Sequence, residues 1–270
     1  MFKTLVTFSG ADGGNPTAAL VQGIDGNLYG TTNAYGPNLG GSVFKMTPSG
    51  SLTVLYNFCA QPNCVDGSRP NSMVLGSDGN FYGTTNFGGS ANGGIVFKIT
   101  PEGTFKTLYS FCALTNCIDG NRPNGLMLGN DGDFYGTTNF GGSANSGVVF
   151  KITSEFALRT IYSFCSQSNC SDGALPVATV IQATDGNLYG TTEEGGANGS
   201  GTVFKVTLMG ALTTLYSFCS QPNCADGATH SFKPTTETST AQPWLGPTTR
   251  ARFSQLPRRA RLRRSTPSAL

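Results

Sequence analysis

The string DGNLYGTT at 25–32 returns as DGNFYGTT at 78–85, DGDFYGTT at 131–138 and DGNLYGTT at 185–192. These copies start 53, 53 and 54 residues apart, and the segments between them stay in phase. SVFKMTP, IVFKITP, VVFKITS and TVFKVTL follow the successive YGTT strings, and LTVLYNFC, FKTLYSFC, LRTIYSFC and LTTLYSFC follow those. So regular a period marks four copies of one structural unit, each too small to bury a core alone.

Within a unit, apolar and polar residues alternate with the period of two that a pleated strand requires. In the second unit the pattern predicts strands near 72–76, 80–85, 94–100 and 104–111. Asp78-Gly79 separates the first pair, a hairpin composition because both residues tolerate positive φ. Pro101-Glu102-Gly103 separates the second pair and has the same tight-turn character. Each unit therefore reads as one four-stranded antiparallel sheet that must cover its faces with its neighbours. The expected fold class is all-β, a β-propeller of four-stranded antiparallel blades; four repeats leave open a closed four-bladed ring, which is uncommon, an incomplete ring, and a piece of a larger ring. A β-solenoid is the alternative, although its coils are usually shorter and avoid hairpins.

The array DGNxYGTT…GGxxxxGxVFKITPxG…LYSF resembles the GloVer-type tandem repeat proteins, bacterial chains built from propeller-like repeats. The likeness covers roughly 3–227. It implies an extracytoplasmic setting, with a secretion signal, further repeats and a variable cell-surface anchor in many members, and it implies no particular activity.

Composition narrows the function classes. Of 270 residues only 12% are charged and 10% are aromatic, which argues against a disordered chain. No apolar run approaches the length of a membrane-spanning helix. The single histidine, His230, leaves little scope for His-based metal sites or catalytic triads.

All eight cysteines occupy one place in the repeat, as Cys59/Cys64, Cys112/Cys117, Cys165/Cys170 and Cys219/Cys224. Each pair is spaced C-x4-C after the LYSF strand. The repetition favours four local disulfides, which persist in an oxidising compartment. Free thiols and zinc are the competing readings; zinc would need two pairs to converge from separate units.

Two departures from the repeat concern the ends. FKTLVTF at 2–8 matches FKTLYSF at 105–111 and lacks the apolar core of a signal peptide, so the chain is expected to begin inside a repeat, as a truncated piece. From 228 onward the pattern stops. Residues 1–227 carry nine Lys+Arg against fourteen Asp+Glu, whereas 228–270 carry eight against one. Back-translating 236–244 and shifting the frame yields GNFYGTTM, so the basic segment reads as a frame-shifted fifth repeat. The organisation expected is a repeat domain over 1–227 and an aberrant, disordered tail over 228–270. On that reading the arginines are accidental, and no nucleic-acid partner is implied.

Candidate sites are few. Phe87 and Phe140, in the NFGG loops, and their counterparts Tyr35 and Glu194 are the expected ligand contacts, because loop variation on a fixed scaffold is where specificity usually resides. Tyr29, Tyr82, Tyr135 and Tyr189 could line a sugar channel, but packing between blades is the simpler role. Asp25, Asp78, Asp131 and Asp185 suit tight turns better than calcium, lacking the alternating acids of a calcium loop. Asp66, Asp119, Asp172 and Asp226 read as a second set of turns. The GG-x4-G loops precede strands, not the helix that a phosphate cradle needs. Glu193-Glu194 is the one local carboxylate pair.

No catalytic residues, metal or cofactor are predicted. The expected function is a non-catalytic, secreted or cell-surface scaffold, monomeric, binding carbohydrate or a surface protein. A propeller hydrolase or lyase acting on polysaccharide through Glu193 and Glu194 is the alternative, and a non-functional truncated product is a third.

Overall fold

A computed structural model describes residues 4–227. The tail at 228–270, and with it the frame-shift reading, lies outside the described residues.

The first unit folds as β1 (Val21–Gln22), β2 (Leu28–Thr32), β3 (Ser42–Met46) and β4 (Leu52–Asn57). The second gives β5 (Ser68–Leu75), β6 (Phe81–Phe87), β7 (Ile95–Ile99) and β8 (Phe105–Ser110). The third gives β9 (Asn121–Leu128), β10 (Phe134–Phe140), β11 (Val148–Ile152) and β12 (Leu158–Ser163). In the fourth, β13 (Ala174–Pro176) and β14 (Ile181–Gln182) together stand where one inner strand would run, before β15 (Leu188–Glu194), β16 (Thr202–Val206) and β17 (Leu212–Ser217). Every sheet is an antiparallel meander in chain order, and both β13 and β14 pair with β15. These are the blades of a β-propeller. The first strands of successive blades touch one another, β1 to β5 and β5 to β9, which places them on the inner side of the arc. The first and fourth blades make no comparable contact among the described residues, so the arc is open.

The inner strand is longer than its pattern predicts. β5 begins at Ser68, four residues before the expected start, and pairs Ser68 with Phe87 and Pro70 with Thr85 across a bulge. Pro70 masks the strand because it lacks an N–H, yet an edge strand at a bulge tolerates it. The hairpin turns match expectation. Gly79 takes φ +78° between the Gly76 N–H donated to Asn80 and its own N–H donated to Gly76.

Period-two alternation sends one face of each blade backward and the other forward. Phe81, Ile95, Phe97 and Ile99 of blade two pack on Tyr29, Val43 and Phe58 of blade one. Tyr82, Val96 and Phe111 of the same blade pack forward on Phe134, Val148, Phe150 and Ile152. Tyr135, Val149 and Phe164 continue the series onto Leu188, Phe204 and Val206. Tyr29 stacks on Phe81 at 4.0 Å between centroids, and Tyr82 meets Phe134 at 4.3 Å. The YGTT tyrosines of the first three blades are therefore inter-blade core. Burying one such ring contributes roughly 1.5–3 kcal/mol. No helix among the described residues is long and apolar enough to cross a membrane.

Candidate functional site

A four-stranded meander places its loops at two ends. The DGN turns and the TPxG turns share one end; the NFGG loops and the cysteine loops share the other. The two rims differ in chemistry.

At the DGN rim the aspartates organise turns. Asp78 accepts hydrogen bonds from the Asn80 side chain (2.8 Å), the Tyr82 hydroxyl (2.8 Å) and Lys98 Nζ (2.7 Å). Burial opposes its ionisation, but the bonds from Lys98, Asn80 and Tyr82 outweigh it and hold the carboxyl well below the usual range. Asp131 repeats the arrangement with Tyr135 and Lys151, and Lys151 also pairs with Asp133. Burial, reinforced by Asp131, pushes the Tyr135 hydroxyl up to about 12. These donors fill the carboxylate lone pairs that a cation would need. Among the described residues no group of three His, Cys, Asp or Glu side chains converges.

At the opposite rim each cysteine pair is a disulfide, Cys59–Cys64, Cys112–Cys117, Cys165–Cys170 and Cys219–Cys224. The second aspartate set closes these loops. Asp66 is buried and accepts from the Tyr56 hydroxyl at 2.8 Å and from the Ala60 and Gln61 N–H groups at 2.9 and 3.2 Å. Asp119 and Asp172 do the same in the next blades. Burial and the adjoining carboxylates raise the hydroxyl pKa of Tyr56 and Tyr109, and bring that of Tyr162 to about 12. These aspartates are more than turn formers: each one ties a disulfide loop to its blade.

Phe87 and Phe140 end β6 and β10 on this rim, half-buried. Two arginines that sequence reasoning passed over bring them together. Arg122 Cζ lies 4.7 Å from the Phe87 centroid and 5.2 Å from that of Phe140, and Arg69 Cζ lies 5.2 Å from Phe87. The result is a ladder, Arg69–Phe87–Arg122–Phe140, running from blade two into blade three. Backbone geometry fixes its rungs. Arg69 and Arg122 adopt φ +55° and +56°, and their N–H groups reach the preceding blade at Gly40 O and Gly93 O, both at 2.8 Å. The signal in the sequence was the string RPN after the second Asp-Gly, present at 69–71 and 122–124 only.

Among the described residues neither Tyr35 nor Glu194 makes a ring or ion-pair contact with the ladder, although Tyr35 pairs with Gly40, whose carbonyl accepts from the Arg69 N–H. Tyr35 is exposed in blade one at φ +63°, the position that Gly88 and Gly141 fill in the next two blades. Glu194 is exposed at the end of β15, and Glu193 beside it is half-buried.

Residues 1–117 and 112–242 match the Gloeobacter/Verrucomicrobia repeat, and the chain belongs to that family. No curated protein matches it. Among solved structures, a catalytically inactive virginiamycin B lyase from Staphylococcus aureus with quinupristin aligns at TM-score 0.51 and 17% identity over 77% of this chain and 57% of that one. A streptogramin B lyase aligns at TM-score 0.49 and 20% identity over 76% of this chain and 55% of that one. The chain thus spans little more than half the length of either. At such identity the likeness is one of fold.

Proposed function

We propose that this chain is a non-catalytic repeat scaffold of the cell exterior that binds carbohydrate or protein through its blade rims. The supporting observation is the use of its carboxylates. Every aspartate of the described residues accepts hydrogen bonds that hold a turn or a loop, from Asp12 with Ser9 to Asp226 with Ser220 and Gln221. Most glycoside hydrolases work through two carboxyl groups set across one glycosidic bond. The local pair, Glu193 and Glu194, consists of neighbours on one strand, whose side chains leave on opposite faces. Four disulfides suit an oxidising compartment.

The test applies the full chain to a glycan array and assays the same glycans for release of reducing sugar. Binding without turnover supports the scaffold. Turnover that Glu194→Gln abolishes overturns it in favour of a polysaccharide hydrolase or lyase.

A further inference from the structure

From the rim geometry we infer that the Arg69–Phe87–Arg122–Phe140 ladder is a binding site for an acidic polysaccharide, a polymer of uronic acid residues. This deepens the scaffold reading and rests on it. The frame does not require the ladder. Asn15 and Leu175 occupy the arginine position in blades one and four with the same backbone, at φ +55° and +53°, and Ala34 and Glu194 replace the phenylalanines. What differs between blades on an unchanged backbone is where selection for a ligand acts.

The chemistry of the ladder favours carboxylates. Both arginines are exposed, and neither forms an ion pair among the described residues. Stacking on phenylalanine leaves the guanidinium edges free, and those edges present paired N–H donors that match a carboxylate in bidentate fashion. Because both guanidinium carbons are held to Phe87, at 5.2 and 4.7 Å, they stand within about 10 Å of each other. Two fixed cations along a rim suit a polymer whose carboxylates are spaced by sugar rings.

The surroundings argue against other polyanions. The backbone N–H groups of the neighbouring NFGG loop are already used: Gly88 donates to Asn92, Gly89 to Cys64 and Gly94 to Gly88. A peptide strand therefore finds no free row of N–H groups in that loop to pair with. Over 1–227 the acids outnumber the bases by five, so every polyanion meets an overall repulsion, and a polymer with one charge per sugar ring meets less of it than a densely charged duplex nucleic acid.

The test measures binding of the full chain to immobilised polygalacturonate and to its fully methyl-esterified form, with R69Q, R122Q and the double variant alongside. The expected result is salt-sensitive binding to the acid form, at least tenfold weaker in the double variant and lost on the ester. Equal binding by the double variant, equal binding to the ester, or no binding to polygalacturonate overturns the site. Stronger binding to poly-glutamate or duplex DNA than to polygalacturonate also overturns it. Because the ester comparison needs no substitution, it decides even if a variant fails to fold. The two readings fail separately. Binding to neutral glycans or proteins alone removes the ladder site and leaves the scaffold. Cleavage of polygalacturonate with arginine-dependent binding removes the scaffold and leaves the site.

Discussion

The Tyr109 hydroxyl donates to Asp119 Oδ2 at 2.8 Å, joining the end of one blade to the disulfide loop that leads into the next. The carboxylate also accepts from the Ala113 and Leu114 N–H groups and is almost wholly buried. Asp119→Ala strands these donors in a site closed to water. The expected loss is about 3 kcal/mol in a denaturant unfolding curve. A loss within error of zero would show that solvent reaches the loop.

Inter-blade rings should matter where a following blade covers them. Tyr82 is buried against Phe134, while Tyr189, the same position in blade four, is only half-buried. Tyr82→Ala is expected to cost about 3–5 kcal/mol, and Tyr189→Ala about 1 kcal/mol or less. Equal costs, measured by chemical denaturation, would contradict blade-on-blade stacking as the source of the core.

Gly94 sits at φ +89°, and a Cβ there would lie 2.2 Å from Thr85 O and 2.7 Å from Pro123 Cδ. Gly132 also has positive φ but faces open space. Gly94→Ala should therefore destabilise by more than about 2 kcal/mol, and Gly132→Ala by about 1 kcal/mol. Matched thermal melts check the difference in order.

The titrating groups set limits at both ends of the pH scale. Asp78 and Asp131 have carboxyls held below their unfolded values, so the stability they contribute is present above about pH 4 and is lost as pH falls further. Tyr135 and Tyr162 have hydroxyls raised to about 12, so their contribution is complete below about pH 10 and is lost between there and 12. Melting temperatures should form a plateau between those limits. A midpoint falling steadily from pH 7 to 5 would contradict the assignment.

The blade was legible from DGNFYGTT and VFKITP because their alternation and turn residues are local properties. The start of β5 was not, because Pro70 looks like a break until the bulge beside it is seen. Phe87 and Phe140 stood out as loop aromatics, but their setting did not. Their partner Arg122 lies 35 residues from Phe87 in the chain, and only blade stacking brings the two together. Asp119 read as a turn former since its partners, the Tyr109 hydroxyl before the disulfide loop and the Ala113 and Leu114 N–H groups inside it, meet it only once that loop closes.

The central claim is that each repeat forms one blade and closes its own disulfide loop. Peptide mapping of the unreduced full chain, taken from an oxidising compartment, tests it most directly. Each local bridge should contribute about 2 kcal/mol by chain entropy, and the account predicts four linkages: Cys59–Cys64, Cys112–Cys117, Cys165–Cys170 and Cys219–Cys224. Linkage between cysteines of different repeats, or alkylatable thiols in the native protein, would contradict it.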